Sequence, residues 1–205
     1  MTTSPLGPFI GPAHVRQAVK ATLDRWAPFY VAEAIRQVGA DPAEMPGFTD
    51  FVNQPLTSVV THEEAPRYVV VVPGTLAPPE RRGNGTYRAV WDVRIELWMW
   101  GADYQQTEDK LSNYLTALRQ LLLQQASLGG FAESTTWRAE RYAQVQGGDT
   151  TYRTWGQAVL QVAVSVDGVV DAFAGPAVPP DDPTAPPRAA PAVTSTHVTV
   201  TPRPT

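Results

Sequence analysis

At 205 residues the chain has room for one domain with appendages or two small ones, and 43% hydrophobic against 18% charged residues is enough for a sizeable core. The absence of cysteine excludes disulfides and thiolate metal sites, and a formal net charge of −4 lacks the basic surplus that phosphate-gripping proteins carry. No run approaches the roughly 18 apolar residues of a membrane span, and no basic stretch followed by an apolar one opens the chain, so a soluble protein without a signal peptide is expected.

Residues 1–12 mix Pro and Gly with the apolar pair Phe9 and Ile10 and read as an N-terminal arm that orders by docking. From Ala13 the apolar residues Val15, Val19, Leu23 and Trp26 recur at helical spacing, with Arg16, Lys20 and Asp24 on another face. Pro28 interrupts this segment. Inside a helix a proline removes a donor and clashes with the preceding turn, at about 3 kcal/mol. The spacing therefore predicts a helix over 13–26, a break, and a second helix over 28–38 ended by Gly39. Phe29, Val31, Ile35 and Val38 are the expected apolar side of the second helix.

Ala40 to Pro55 is dense in turn formers and reads as loop, followed by short strands at Leu56–Thr61 and Arg67–Val72. The unbroken run from Tyr68 to Val72 suggests burial on both faces, and Pro73-Gly74 is expected to stop it. A loop rich in Pro, Gly and Arg then leads to the clearest signal in the chain. Tyr87, Ala89, Trp91, Val93, Ile95, Leu97 and Met99 alternate with Arg88, Asp92, Arg94 and Glu96 until Gly101. A strand from Thr86 to Trp100 would span about 50 Å, far beyond the usual length, so it should bend at a bulge or project from the body.

Asp103 is a good N-cap with Gln106 as its capping-box partner. The helix it opens carries Tyr104, Leu111, Tyr114, Leu115, Leu118, Leu121 and Leu122 on one broad face and ends near Gln125. Two strands follow at about Thr135–Val145 and Tyr152–Val166, with Gly147-Gly148-Asp149 as the turn. In the last strand Leu160, Val162, Val164 and Val166 face one way, and Gln161, Ser165 and Asp167 the other. Beyond Ala172 the chain is Pro-rich, with one strand-like island at Val193–Val200. The whole predicts an α+β fold: a mostly antiparallel sheet of about four to five strands, with two main helices packed on one face. Residues 13–172 form the domain, flanked by the N-terminal arm (1–12) and a Pro-rich C-terminal extension (173–205).

Chemistry-bearing motifs are missing. His62-Glu63-Glu64-Ala65-Pro66 begins like a zinc-protease motif, but Pro66 stands where the second ligand belongs and would break the required helix. Gly83-Asn84-Gly85 begins like a dinucleotide loop, but Arg88 replaces the third glycine and a strand follows. His14, His62 and His197 lie far apart, and no nucleophile elbow or phosphate loop is present. No catalytic, cofactor-binding or metal residue is expected, and the chain reads as a non-enzyme. Glu63-Glu64 and Asp181-Asp182 read as solvated loop charges. Arg81 and Arg82, in the loop before the long strand, are either solvated or in contact with a partner.

The even positions of the long strand begin charged and finish with Trp98 and Trp100. Each tryptophan can bury about 150–250 Å², an upper bound of roughly 4–6 kcal/mol. Either a helix folds over that end, or a neighbouring subunit covers it, as tryptophan-rich interfaces do. Val198 and Val200 of the C-terminal island are the other candidate interface residues, because a Pro-rich spacer ending in a strand-like segment suits strand addition to a neighbour's sheet.

A helix with an internal break (VRQAVKATLDRWAPFYVAEAIRQVG) precedes strands ending in a long alternating one (RAVWDVRIELWMWG). A Leu-rich helix (DYQQTEDKLSNYLTALRQLLL) and a closing hairpin strand (TYRTWGQAVLQVAVSV) follow. Over residues 13–168 this order resembles the tail terminator proteins of long-tailed bacteriophages, especially those of actinobacterial hosts, and related neck proteins. The Pro-rich tail lies outside that pattern. The resemblance implies a virion structural protein forming a homo-oligomeric, hexameric ring. Such a ring caps the tail tube, ends its polymerisation and joins it to the head connector. The partners implied are other copies of the chain, the tail tube protein and the head-completion protein. DNA passes through the lumen without sequence-specific binding, and neither cofactor nor membrane is involved. The location implied is the head–tail junction of the virion, after synthesis in the bacterial host cytoplasm. A different neck subunit, or a protein-binding adaptor acting through the Pro-rich tail, are the alternatives.

Overall fold

The computed structural model describes residues 7–48, 50–51, 67–145 and 154–172. Helix α1 spans Pro12–Val38 and helix α2 Tyr104–Gln124. The strands are β1 (Asp50–Phe51), β2 (Arg67–Thr75), β3 (Glu80–Arg81), β4 (Thr86–Gly101), β5 (Ser134–Val145) and β6 (Thr154–Asp171). They form one sheet in the order β1-β2-β4-β6-β5, with β3 beside the start of β4. Every pairing is antiparallel except β1 with β2. This is the expected α+β architecture. The strand read at Leu56–Thr61 and the turn at Gly147-Gly148-Asp149 lie outside the described residues, as does the extension beyond Ala172.

Helix α1 is continuous through Pro28, where the sequence suggests a break. Proline removes the bond to the Asp24 carbonyl, but Leu23, Ala27, Tyr30 and Val31 are buried on both sides of it. Burying such side chains is worth about 1.5–3 kcal/mol each, which outweighs one lost turn. The buried face also rotates from the expected one. Tyr30 goes inward, its hydroxyl donating to Gln124 Oε1 at 2.7 Å, while Phe29 is 66% exposed and Val38 is also outside. Gly39, at φ 66°, supplies the left-handed residue that ends the helix.

Strand β2 continues through Pro73-Gly74, which the sequence reads as its end, because a bulge accommodates the proline. The register steps from Val71↔Arg94 to Gly74↔Asp92, and the inserted residue removes the need for a ladder donor there. Burial on both faces holds for Tyr68, Val69 and Val70 only. The short strands β1 and β3 fall in stretches that read as loop.

The long strand β4 does not project, because β6 runs beside it over its whole length, from Gly101↔Thr154 to Thr86↔Asp171. The last strand extends five residues beyond the expected Val166. A bulge around Gly168, whose φ is 65°, lets the chain keep pairing as far as Asp171.

Ala89, Trp91, Val93, Ile95, Leu97 and Met99 of β4 and Leu160, Val162, Val164 and Val166 of β6 form the floor of the core. Helix α1 packs on β2 and on α2, and α2 packs on β4, β5 and β6. Asp103 caps α2 by accepting from the Gln106 amide at 2.8 Å, and Gln106 Oε1 accepts from the Ala102 amide at 2.7 Å. Tyr104, expected on the apolar face, sits in the first turn and points outward at 59% exposure.

The start of α2 is pressed against the sheet. Thr107 Oγ1 lies 2.6 Å from the Asp103 carbonyl and 3.0 Å from the Thr154 carbonyl. A Cβ on Gly101 would sit 2.9 Å from the Thr107 amide nitrogen and 3.0 Å from its Cα, and one on Gly156 would sit 2.7 Å from Leu111 Cδ1. Gly101→Ala has backbone in its way and should lose about 1–3 kcal/mol of unfolding free energy. Gly156→Ala meets movable side chains and should lose less. Urea denaturation of the two variants checks the order.

Two tyrosines tie loops and helices into the core. Tyr68 donates its hydroxyl to the Asp24 carboxylate and Tyr114 to the Pro46 carbonyl. Burial raises both phenol pKa values well above the ordinary 10, and the Asp24 charge pushes Tyr68 further. The protonated forms therefore stabilise the fold fully below pH 10 and do so less as pH rises beyond it. The urea midpoint should fall above about pH 10.5, and fall less in Tyr114→Phe. That variant should also lose about 1 kcal/mol at neutral pH.

Candidate assembly interface

Because side chains alternate across a strand, the same pairing that builds the core builds a second face. On β4 that face carries Arg88, Asp92, Arg94, Glu96, Trp98 and Trp100, and neither helix covers it. Neither of the two described α-helices, α1 nor α2, supplies the cover expected as one alternative for the two tryptophans. Trp100 is directly paired with Trp155 of β6, and their rings lie 6.1 Å apart at 46°. Trp98 stacks on Trp155 at 5.0 Å and 20°. All three are half-buried, so they shield one another while one side of the cluster meets solvent.

Trp155 is the residue that sequence reading misses, although its signal is available. It shares the odd positions of β6 with Gln157 and Gln161, the parity opposite to Leu160 and Val162.

The middle of this face is polar. Asp92, nearly buried, accepts from Gln161 Nε2 at 2.6 Å and from Arg94 Nη2 at 2.9 Å. Arg94, Glu96, Ala139, Arg141, Val159 and Gln161 line a shallow depression beside it. The far end holds an ionic cluster. Arg88 Nε lies 2.8 Å from Ser165 Oγ and 2.9 Å from Glu133 Oε2, and Arg82 reaches Asp167 at 3.5 Å and Glu133 at 3.8 Å. Partly exposed pairs of this kind contribute about 0–1 kcal/mol each, so they set geometry more than stability.

Of the candidate interface residues, Trp98 and Trp100 are thus brought together with a third tryptophan. Arg82 is engaged by carboxylates of its own chain, and Arg81 is an exposed residue of β3 opposite Tyr87. Val198 and Val200 lie outside the described residues, as do His62 and His197. His14 is exposed on the first turn of α1, its Nδ1 accepting from the Gly11 amide at 3.2 Å. Among the described residues no group of three or more acidic or histidine side chains is placed to hold a metal ion. No helix among them is long and apolar enough to cross a membrane.

No protein-family model matches the sequence, and a search of the curated proteins finds no match.

The stacked pair makes a solution signature. Trp155→Ala should remove the exciton couplet of the stacked indoles, change the near-ultraviolet circular dichroism, and lower the unfolding free energy by about 1–3 kcal/mol. An unchanged near-ultraviolet spectrum would mean that the rings are not stacked in solution.

Proposed function

We propose that this chain is a virion structural subunit that assembles into a hexameric ring on the end of a phage tail tube. There it stops tube polymerisation and joins the tail to the head connector. The observation that carries the reading is the helix-free face of the β4–β6 ribbon, where Trp98, Trp100 and Trp155 are only half-buried. Contiguous aromatic surface of this kind marks interaction sites on soluble proteins, and tryptophan is enriched at the centres of subunit contacts. The order of elements, which resembles the tail terminators, supplies the particular assembly.

A ring built from one kind of chain needs head-to-tail contacts that close by rotation. A sheet face on one side of the subunit and the Pro-containing sequences at residues 1–12 and 173–205 are suitable parts. The net charge of −4 fits a lumen through which DNA slides without being held. Besides other copies of itself, the partners in this reading are the tail tube protein and the head-completion protein. The protein resides at the head–tail junction, after synthesis in the host cytoplasm, and acts without a catalytic step or cofactor. A different position in the neck uses the same ring and the same face. An adaptor reading is favoured only by the Pro-rich composition beyond Ala172.

The test is electron microscopy of particles from a phage that encodes this chain, with and without its gene. Deletion should give tails of uncontrolled length that are not joined to heads, and Trp98→Ser with Trp100→Ser should approach the same phenotype. The purified double variant should stay folded, with a stability loss comparable to that of Trp155→Ala, while losing at least tenfold in assembly affinity, about 1.4 kcal/mol. Normal-length tails attached to heads in the deletion would refute the terminator assignment.

A further inference from the structure

The sheet has one long edge that its own described residues leave open. β5 pairs with β6 and with no other strand among them, so alternate backbone N–H and C=O groups along Ser134–Val145 point away from the sheet. Several of its side chains are exposed too, including Trp137 at 50% and Tyr142 at 43%. Long exposed edges template pairing with another chain, and proteins usually blunt them with charges or bulges. Here the blunting is confined to one part. Arg138 forms a bulge between Trp137↔Val162 and Ala139↔Gln161. This puts Trp137 and Glu140 on the same side of the sheet, and both engage Arg119: its guanidinium lies 4.9 Å from the indole centroid, and Nη1 2.8 Å from Glu140 Oε1. Beyond the bulge, Ala139 to Val145 keeps unbroken register with Gln161 to Trp155. That is an open window of regular strand.

The same sequence contains a segment of matching length and chemistry. In Val193–Val200 the β-branched residues Thr194, Thr196, Val198 and Val200 alternate with Val193, Ser195, His197 and Thr199; the segment carries no Lys, Arg, Asp or Glu and follows a spacer, residues 173–192, rich in proline. We propose that the window Ala139–Val145 is the docking site for Val193–Val200 of a second copy of this chain, added as a further strand. Thr and Val side chains on one side of the added strand would cover the exposed ring of Tyr142, an aromatic–β-branched cross-strand pair. Those on the other side would lie next to Ala139, Arg141 and Ala143, with the exposed Arg141 side chain lying between the two alanines.

The tail leaves β6 at its Asp171 end. Asp171 lies opposite Thr86, Gln161 opposite Arg94 and Trp155 opposite Trp100, so the window runs from about 27 to about 46 Å back along the sheet. A 20-residue spacer covers about 60 Å at polyproline dimensions, enough for the chain's own edge or a neighbour's, and the choice of a second copy follows the ring reading. Each copy would give one strand and receive one, a head-to-tail contact of the kind that closes into rings. The inference rests on the ring reading only in taking the partner to be another copy.

Disulfide trapping tests it, helped by a chain with no native cysteine. Full-length proteins with a single cysteine in the window (Ala139→Cys, Arg141→Cys or Ala143→Cys) are mixed with full-length proteins carrying Thr196→Cys, Val198→Cys or Val200→Cys. They are oxidised at concentrations where assembly is seen, and resolved on non-reducing gels. At least one pair should give window–tail heterodimers at tenfold or more above a control with Phe29→Cys, and a synthetic peptide of residues 191–202 should compete. Heterodimer at the control level for every pair would overturn the proposal. A chain carrying both cysteines that links mainly to itself on dilution would also overturn it, since the tail would then serve its own edge. Six-fold rings without window–tail disulfides would leave the ring standing and remove this contact. The disulfides in assemblies that are not rings would do the reverse.

Discussion

Strand β4 and strand β6 run antiparallel beside each other from one end of the molecule to the other, and each is far longer than the five or six residues of an ordinary strand. Two such strands cannot slip by one residue without moving every core side chain into water. Val93, Ile95 and Leu97 pair with Val162, Leu160 and Ala158, all buried, so a slip would exchange these for Arg94, Glu96 and Gln161. The register is therefore held by the hydrophobic contrast between the two faces. Everything else is placed by it: β2 and β3 on one flank, β5 on the other, and both helices on the apolar side.

The bulges show how this constraint is relaxed where the sheet needs it. At Val71–Gly74 a proline is absorbed, at Arg138 two residues are turned to the same side to meet Arg119, and near Gly168 β6 keeps its pairing to Asp171. The β2 and β5 bulges lie opposite the middle of the β4–β6 pair, at Asp92–Arg94 and Gln161–Val162, yet the ladder between β4 and β6 is itself unbroken from Val90 to Gly101 against Ser165 to Thr154. The central pair carries the register, and its flanking strands and one end carry the exceptions.

This division also explains what could be read in the sequence. The alternation of β4, the Asp103 cap and the Gly39 stop are local signals, and the structure keeps them. Pro28 misleads because a local penalty of about 3 kcal/mol is judged without the tertiary burial of Tyr30 and Val31 that opposes it. Phe29 and Tyr30 are interchangeable by propensity, and only the position of Gln124 on the neighbouring helix favours turning the tyrosine inward. Trp98 and Trp100 stand out by parity, but their companion Trp155 enters the site through strand pairing, which no single segment displays. Strands β1 and β3 are two residues each and exist only because a longer neighbour offers them a ladder.

The helix-free face and the β5 edge pose one physical problem, since a sheet with one dry and one wet side remains vulnerable where the wet side turns apolar. The polar middle of the face, with Asp92 held between Arg94 and Gln161, resists indiscriminate stacking because its charges would be desolvated by any partner lacking matching groups. Among the described residues the tryptophan end has no such protection, and the edge beyond Arg138 has only the charges of Arg141 and an already engaged Glu140. A free-standing protein gains nothing from leaving these two regions open while blunting their neighbours. In a subunit, the same arrangement distinguishes surfaces to be covered from surfaces that stay wet, and it limits association to partners that fit both the aromatic cluster and the strand edge.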